Sequence, residues 1–237
     1  MRPPEPTAQS VGSPVKNGLV RFGYQVLFVV LLILASPLLM LKMLRRGQWQ
    51  EGFAQRFGFF PAGLIEDLKG AEVLWLNAVS VGEVNLTVQL VALLRDRLPG
   101  TRIVVSTTTT TGMAELRRKL PDEVIKIYYP LDLGSAVRRA LGSLRPQAII
   151  LIEADFWPNL LWEAQAAKVP VLLVNALISE RSARGYRRFA LLFRPLFASF
   201  DRVFCAHEVD RSRLESLGCR PEVVEVVGHP KFDTALS

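Results

Sequence analysis

Trp75-Leu76-Asn77-Ala78-Val79-Ser80-Val81-Gly82-Glu83 is the stretch that decides the fold. An apolar strand runs into a small-residue turn, and a carboxylate stands where the next helix should begin. In an open α/β sheet that corner, at the carboxyl end of a strand, is where ligands and catalytic groups gather. Ser80-x-x-Glu83 is also the pattern of a capping box, in which the two side chains close the first turn of a helix and need no chemistry. The residues alone leave both readings open.

Outward from this corner the chain alternates. Strand candidates are 73–79, 102–107, 124–129, 148–152, 171–174, 202–204 and 223–227, rich in Val, Ile and Leu on both faces as buried parallel strands are. Between them lie helix-length segments such as 84–98, 112–120, 133–144 and 160–167. The alternation predicts a doubly wound, Rossmann-like α/β domain. Neither G-x-G-x-x-G nor G-x-x-x-x-G-K-[ST] occurs, so the common dinucleotide and P-loop fingerprints are absent. Chemistry-bearing residues follow the strands: Ser80 to Glu83, the threonines 107–111 before Gly112, Pro130-Leu131-Asp132, Glu153 through Asn159, and Asn175 with Ser179 to Ser182. All belong to the carboxyl edge of one sheet. The opposite loops, Leu98-Pro99-Gly100 and Leu144-Arg145-Pro146, are plain turns. The domain therefore has one working face.

Lys and Arg total 29 against 22 Asp and Glu, a net charge of +7. Such a balance suits anionic partners or the flanks of a membrane protein. No RNA- or DNA-binding signature accompanies it, so nucleic acid is not an expected partner. Cys205 and Cys219 make no disulfide framework and read as reduced thiols. His207 and His229 are far apart, and no cluster has metal-ligand spacing, so neither a metal nor a cofactor is expected.

Residues 22–41, between Arg21 and Lys42, carry no charge. That is about the twenty residues a bilayer-crossing helix needs. The run is long for a signal peptide and lacks a clear small-x-small cleavage site. Lys42, Arg45, Arg46 and Arg56 outnumber the preceding Lys16 and Arg21, which places the carboxyl side in the cytoplasm. The expected organisation is a disordered tail at 1–18, a single-pass transmembrane anchor at 19–44, and the Rossmann-like domain at 45–237.

Several motifs resemble, in order, the amino-terminal half of the Kdo transferases, which attach 3-deoxy-manno-octulosonic acid to lipid A. They are Gly47-Gln48-Trp49-Gln50-Glu51-Gly52 with Gln55-Arg56-Phe57-Gly58; Ala78 to Glu83; the threonine run 107–111; Pro130-Leu131-Asp132-Leu133; Glu153 to Asn159; Val174-Asn175-Ala176 with Ser179 to Tyr186; and Gly228-His229-Pro230-Lys231-Phe232-Asp233. The sequence departs from that family at Asn77 (usually histidine), Asp155 (usually glutamate), Leu177 (commonly arginine) and His229-Pro230 (usually Asn-Leu).

The resemblance implies one half of a two-domain GT-B glycosyltransferase at the inner membrane, its soluble part facing the cytoplasm. It implies an inverting transfer of Kdo from CMP-Kdo to a lipid A precursor, lipid IVA. This half would carry the acceptor site, and a second domain beyond residue 237 would bind the donor. Glu83 would be the general base. Ser80, Gly82, Thr109, Thr110, Glu153, Asp155, Ser179, Arg181 and Arg184 would bind the acceptor. Glu83, Glu153, Ser179 and Arg181 should converge on one cleft, with Glu83 open to solvent. The alternative is a truncated or split, non-catalytic domain that binds lipid A or a partner. The stretch 181–197, with Arg181, Arg184, Arg187, Arg188 and Arg194 among Tyr186, Phe189, Phe193 and Phe197, reads either as a phosphate- and acyl-binding surface or as an amphipathic helix with arginines in water.

Overall fold

Seven apolar runs form seven strands, all parallel. They are β1 (Val73–Asn77), β2 (Arg102–Thr107), β3 (Ile125–Tyr128), β4 (Ala148–Ile152), β5 (Val171–Ala176), β6 (Arg202–Cys205) and β7 (Val224–Val226), in the order β3-β2-β1-β4-β5-β6-β7. Each lies inside or within two residues of a segment expected from sequence. The computed structural model describes residues 14–46, 50–153 and 156–228. The expected tail up to residue 13, the Gly47-Gln48-Trp49 part of the first motif, Asp155, and His229 onward lie outside them.

The helices are α1 (Pro14–Arg46), α2 (Ala62–Asp67), α3 (Val81–Arg97), α4 (Thr110–Lys119), α5 (Gly134–Leu144), α6 (Pro158–Ala166), α7 (Glu180–Arg188), α8 (Ala190–Phe197) and α9 (Glu208–Leu217). They cover both faces of the sheet, and alternate strand residues serve each face. Leu76, Ile103, Val105, Ile150 and Ile152 pack with Val84 and Val91 of α3 and Leu116 of α4. Trp75, Val104, Ile149, Leu151 and Leu173 pack with residues of α5, α6, α8 and α9 on the other face. Helix α5 shows the cause: Ala136, Val137, Ala140, Leu141 and Leu144 recur at helical spacing and are all buried.

The strand order reverses between β1 and β4. From β1 the chain winds outward through α3 and α4; from β4 it winds the other way through α6. The loops leaving β1 and β4 therefore diverge, and their parting opens the crevice in which α/β proteins seat ligands.

The stretch 181–197 is two helices, not one. Phe189 leaves helical geometry (φ −111°, ψ 37°) and parts α7 from α8. Tyr186, Phe193 and Phe197 turn inward to Phe156 and Phe200, with ring centroids 4.5 Å apart for Phe156–Phe197 and 4.7 Å for Tyr186–Phe193. Arg181, Arg184, Arg187 and Arg188 face solvent, so the amphipathic reading accounts for three of the four aromatics. Phe189 is the fourth and is 60 % exposed.

Within α1, Gly18–Leu38 is long and apolar enough to cross a membrane, by length and composition.

Candidate active site at the carboxyl edge of the sheet

The two glutamates beside the reversal are held in opposite ways. Glu83 lies in the first turn of α3. Its backbone N–H donates to Ser80 Oγ at 3.2 Å, and Ser80 N–H donates back to Glu83 Oε1 at 3.2 Å. Val79 N–H donates to Oε2 at 2.7 Å. The capping box is thus fully formed, and both carboxylate oxygens are engaged by backbone. Glu83 is 6 % exposed, so the expected opening to solvent is not met. The cause is local: the two N–H groups ahead of α3 have no partner within the helix, and this carboxylate turns back to meet them.

Glu153 directly follows β4. Its N–H donates to Val174 O at 2.9 Å, and its φ is +62°. This left-handed conformation is costly for a residue with a Cβ. Burial, and then the nearby Glu83 carboxylate, raises the Glu153 carboxyl above the ordinary glutamate range. The two carboxyl groups, from two loops, lie near enough for the Glu83 charge to contribute to that shift, second to burial. Asn175, at the end of neighbouring β5, is left-handed as well (φ +55°), beside an irregularity in the β5–β6 pairing.

The remaining candidates line the same edge. Thr109 caps α4 by accepting the Gly112 N–H at 3.0 Å. A Cβ at Gly112 would sit 2.3 Å from Thr107 Oγ1, so the glycine ending the threonine run is imposed by close approach. Thr110 opens α4, and the Arg56 guanidinium donates to Thr108 O at 2.9 Å. Gly82 is exposed, and a Cβ there would meet Ser80 Oγ at 3.7 Å, an ordinary contact. Ser179 caps α7, accepting the Ser182 N–H at 3.1 Å. Arg181 and Arg184 are exposed on α7, one strand further from the reversal. Ser179 and Arg181 thus share the edge with the glutamates, but no hydrogen bond or ion pair among the described residues links them to Glu83 or Glu153.

Two motifs at this edge prove to be one structural unit. The buried Asp132 carboxylate accepts the N–H groups of Asn159 and Leu160, both at 3.1 Å, and Asn159 Nδ2 donates to Asp132 O at 2.6 Å. Asp132 thereby caps α6, whose own preceding residue, Trp157, offers no side-chain cap.

Within the stretches singled out from sequence, four polar atoms are left without a partner. Asn77 Nδ2, Thr107 Oγ1, Trp157 Nε1 and Asn175 Oδ1 are buried without a hydrogen-bond partner. All four lie at the carboxyl ends of β1, β2, β4 and β5. Buried polar atoms are nearly always paired, so four exceptions along one edge mark it as chemically distinct. The only sequence signal was the placement of Asn and Thr at strand ends in otherwise aliphatic runs. Two clefts lie elsewhere. One, of about 330 Å³, is at the amino edge of β2 and is lined by Arg95, Arg102 and Glu123. The other, of about 520 Å³, is lined by Arg21, Arg138 and Glu163. Neither includes Glu83 or Glu153. Among the described residues, no three His, Cys, Asp or Glu side chains gather as metal ligands.

Comparison with known proteins adds the family. The model of the 3-deoxy-D-manno-octulosonic-acid transferase family matches residues 51–234. A 3-deoxy-D-manno-octulosonic acid transferase of Bordetella pertussis is 35 % identical over 211 residues, covering 85 % of this chain and 48 % of that protein. One of Haemophilus influenzae is 26 % identical over 210 residues, covering 87 % of this chain and 48 % of that protein. The chain thus spans about half the length of these relatives. Among solved structures, a UDP-GlcNAc 2-epimerase from Neisseria meningitidis overlays with a TM-score of 0.48 and 14 % identity, across 65 % of this chain and 45 % of that one. That likeness is too loose to bear on function.

Proposed function

Since this chain belongs to the 3-deoxy-D-manno-octulosonic-acid transferase family, we propose that it is the acceptor-side half of an inverting glycosyltransferase that moves Kdo from CMP-Kdo to a lipid A precursor, lipid IVA. The family match carries this reading. The placement of Glu83 and Glu153 after β1 and β4, beside the strand-order reversal, supports it by supplying carboxylates where such a fold does its chemistry.

In the proposed step an acceptor hydroxyl oxygen attacks the anomeric carbon of Kdo. The new glycosidic C–O bond forms as the bond to CMP breaks, CMP leaves with the electron pair, and the hydroxyl proton passes to Glu83. Each Glu83 carboxylate oxygen keeps a lone pair beyond the one that accepts a backbone N–H, so what the role requires is access: the nearly buried carboxylate must be uncovered for the acceptor hydroxyl to come within hydrogen-bond reach. Ser80 positions Glu83. Gly82, exposed in the first turn of α3, lets the acceptor approach the backbone. Thr109, Thr110, Glu153 and Asp155 bind sugar hydroxyls, and Ser179, Arg181 and Arg184 bind the acceptor's phosphates, for which guanidinium forks are suited. The donor is held mainly by the other half of the enzyme. Helix α1 attaches the assembly to the inner membrane with the domain facing the cytoplasm.

One observation favours a second reading. Glu83 is nearly buried and fully engaged as a cap, as a purely structural glutamate would be. On that reading the chain is a non-catalytic, membrane-attached domain that binds lipid A or a partner. The two readings separate in an enzyme built from this chain and the carboxyl-terminal half of the Bordetella relative. There Glu83→Gln should lower turnover about 10²–10⁴-fold while acceptor binding persists, because the amide keeps the shape and loses the basicity. Wild-type turnover in that variant would reject Glu83 as the base.

A further inference from the structure

Helix α1 is tied to the domain through Arg21, Tyr24 and Gln25. The Arg21 guanidinium pairs with Glu163 and lies over the Trp162 ring, 5.6 Å from its centroid. The Tyr24 hydroxyl donates to the buried Asp132 carboxylate at 2.7 Å, and Gln25 Nε2 donates to Asn159 Oδ1 at 3.2 Å. Beyond them Phe28, Leu32 and Ala35 are half-buried. Positions 21, 24, 25, 28, 32 and 35 share one face of a helix, so from Arg21 to Ala35 α1 keeps one less exposed face, the face that carries the ties to the domain.

The other end is tied as well. The chain is back in the domain by Glu51, which pairs with Arg117, and Gln55 Oε1 accepts the Tyr128 N–H at 2.8 Å. From Tyr24 to Arg46 the helix is about 33 Å long, close to the roughly 30 Å of a bilayer core. The five residues from Arg46 to Glu51 reach about 17 Å at most, whatever their path. A helix standing across the bilayer with Tyr24 at one surface and Arg46 at the other would require one domain to be bound at both surfaces.

We propose that α1, held in this way, lies in the plane of the membrane surface, with its free apolar face sunk into the lipid of one leaflet. The occupant of that face is lipid rather than protein, because residues 22–41 carry no charge and Phe22, Leu27, Val30, Ile33, Leu34 and Leu38 are all exposed. An ordinary interfacial helix brings its own polar side. Here the domain supplies it, through the contacts of Arg21, Tyr24 and Gln25. Helix α8 packs beside α1 and adds Leu191, 71 % exposed, next to Phe189. Arg187 and Arg188 directly precede that pair and suit anionic headgroups. The seat also links membrane to site: Asp132, which takes the Tyr24 hydroxyl, caps the helix that follows the Glu153 loop. The candidate site is thereby held at a fixed height over the lipid surface.

This inference rests on α1 being the membrane-binding element, and its test separates the two. The full chain carrying Ser10→Cys would be treated with a membrane-impermeant maleimide; the native Cys205 and Cys219 are buried. An in-plane helix leaves position 10 protected in spheroplasts and labelled in inverted inner-membrane vesicles. Labelling in spheroplasts would overturn the in-plane seat while leaving membrane attachment intact. Absence of the chain from the membrane fraction would remove both. Independently, a benzoyl-phenylalanine in place of Gln25, irradiated in membranes, should yield adducts to the segment 132–163. Adducts to lipid alone would overturn the docked seat, whatever the labelling shows.

Discussion

The loop leaving β1 and the loop leaving β4 begin alike, each an apolar strand ending at a reversal of the sheet and followed by a glutamate, yet they hold that glutamate differently. After β1 the acid comes six residues past Asn77, the last residue of the strand, inside a helix that needs it: Glu83 meets two backbone donors and disappears from solvent. After β4 the acid comes at once, in a left-handed conformation, with its carboxyl pushed toward the neutral form. One position is relaxed and satisfied, the other strained. Strain of this kind persists only where the surroundings enforce it, and it gathers at sites of function. The relaxed acid is the one proposed as the base, and that role would require the buried carboxylate to be uncovered. The strained acid is already displayed.

The sharpest way to break this contrast is to remove each charge in turn within a competent enzyme. Glu83→Gln should lose about 10²–10⁴ in turnover with acceptor affinity nearly kept. Glu153→Gln should chiefly raise the acceptor KM. Steady-state kinetics on the pair decides between them. If Glu153→Gln shows the large loss in turnover and Glu83→Gln does not, the two roles are exchanged.

Next in size is the cap. Ser80→Ala removes the acceptor for the Glu83 N–H and should cost about 1 kcal/mol of stability, the usual value of a helix cap. Denaturant unfolding measures this, and turnover per folded molecule tests whether Ser80 also positions the base. A loss of stability alone would leave only the structural half of the capping box. Glu153→Gly works in the opposite direction. Glycine adopts a positive φ without the Cβ penalty, so this variant should gain up to about 1 kcal/mol, offset by the greater freedom of glycine in the unfolded chain. A gain in stability together with loss of acceptor binding would show that the strain serves the site. A loss of stability would show that the side chain makes contacts worth more than the strain.

These elements also show what a sequence can and cannot disclose. The sheet was legible because buried parallel strands are continuous aliphatic runs, and the runs at 73–79 and 148–152 needed no tertiary information. The βα alternation put Glu83 and Glu153 at one edge, whereas the place of the reversal, between β1 and β4, is a matter of strand order that the runs do not encode. The engagement of Glu83 was visible as Ser80-x-x-Glu83, but nothing in that pattern said how deeply the carboxylate would be buried. Asp132 as the cap of α6 was not legible: it acts across 27 residues of sequence, and only folding brings it beneath Asn159. The break at Phe189 was hidden because Tyr186, Phe193 and Phe197 keep a helical spacing through it. The unpaired Asn77 Nδ2, Thr107 Oγ1 and Asn175 Oδ1 atoms were out of reach because pairing is a property of neighbours, not of residue type.

The finest test of the contrast is in pH. Burial raises the Glu153 carboxyl in the folded protein, with the Glu83 carboxylate as the second cause. In the unfolded chain the group returns to the ordinary value, about 4.3. A raised folded-state value means that the native state binds this proton more tightly. Its stabilising contribution is therefore complete below the unfolded value and is lost as pH rises through the folded one. Wild type measured against Glu153→Gln should accordingly be relatively most stable in acid and lose that advantage on the way to neutrality. Repeating the comparison in a Glu83→Gln background removes the second cause and leaves the first. The pH window over which the advantage disappears should then narrow from its upper end without closing. An unchanged window would mean that the two carboxyl groups do not sense each other, and the crevice would lose the one interaction that unites its two sides.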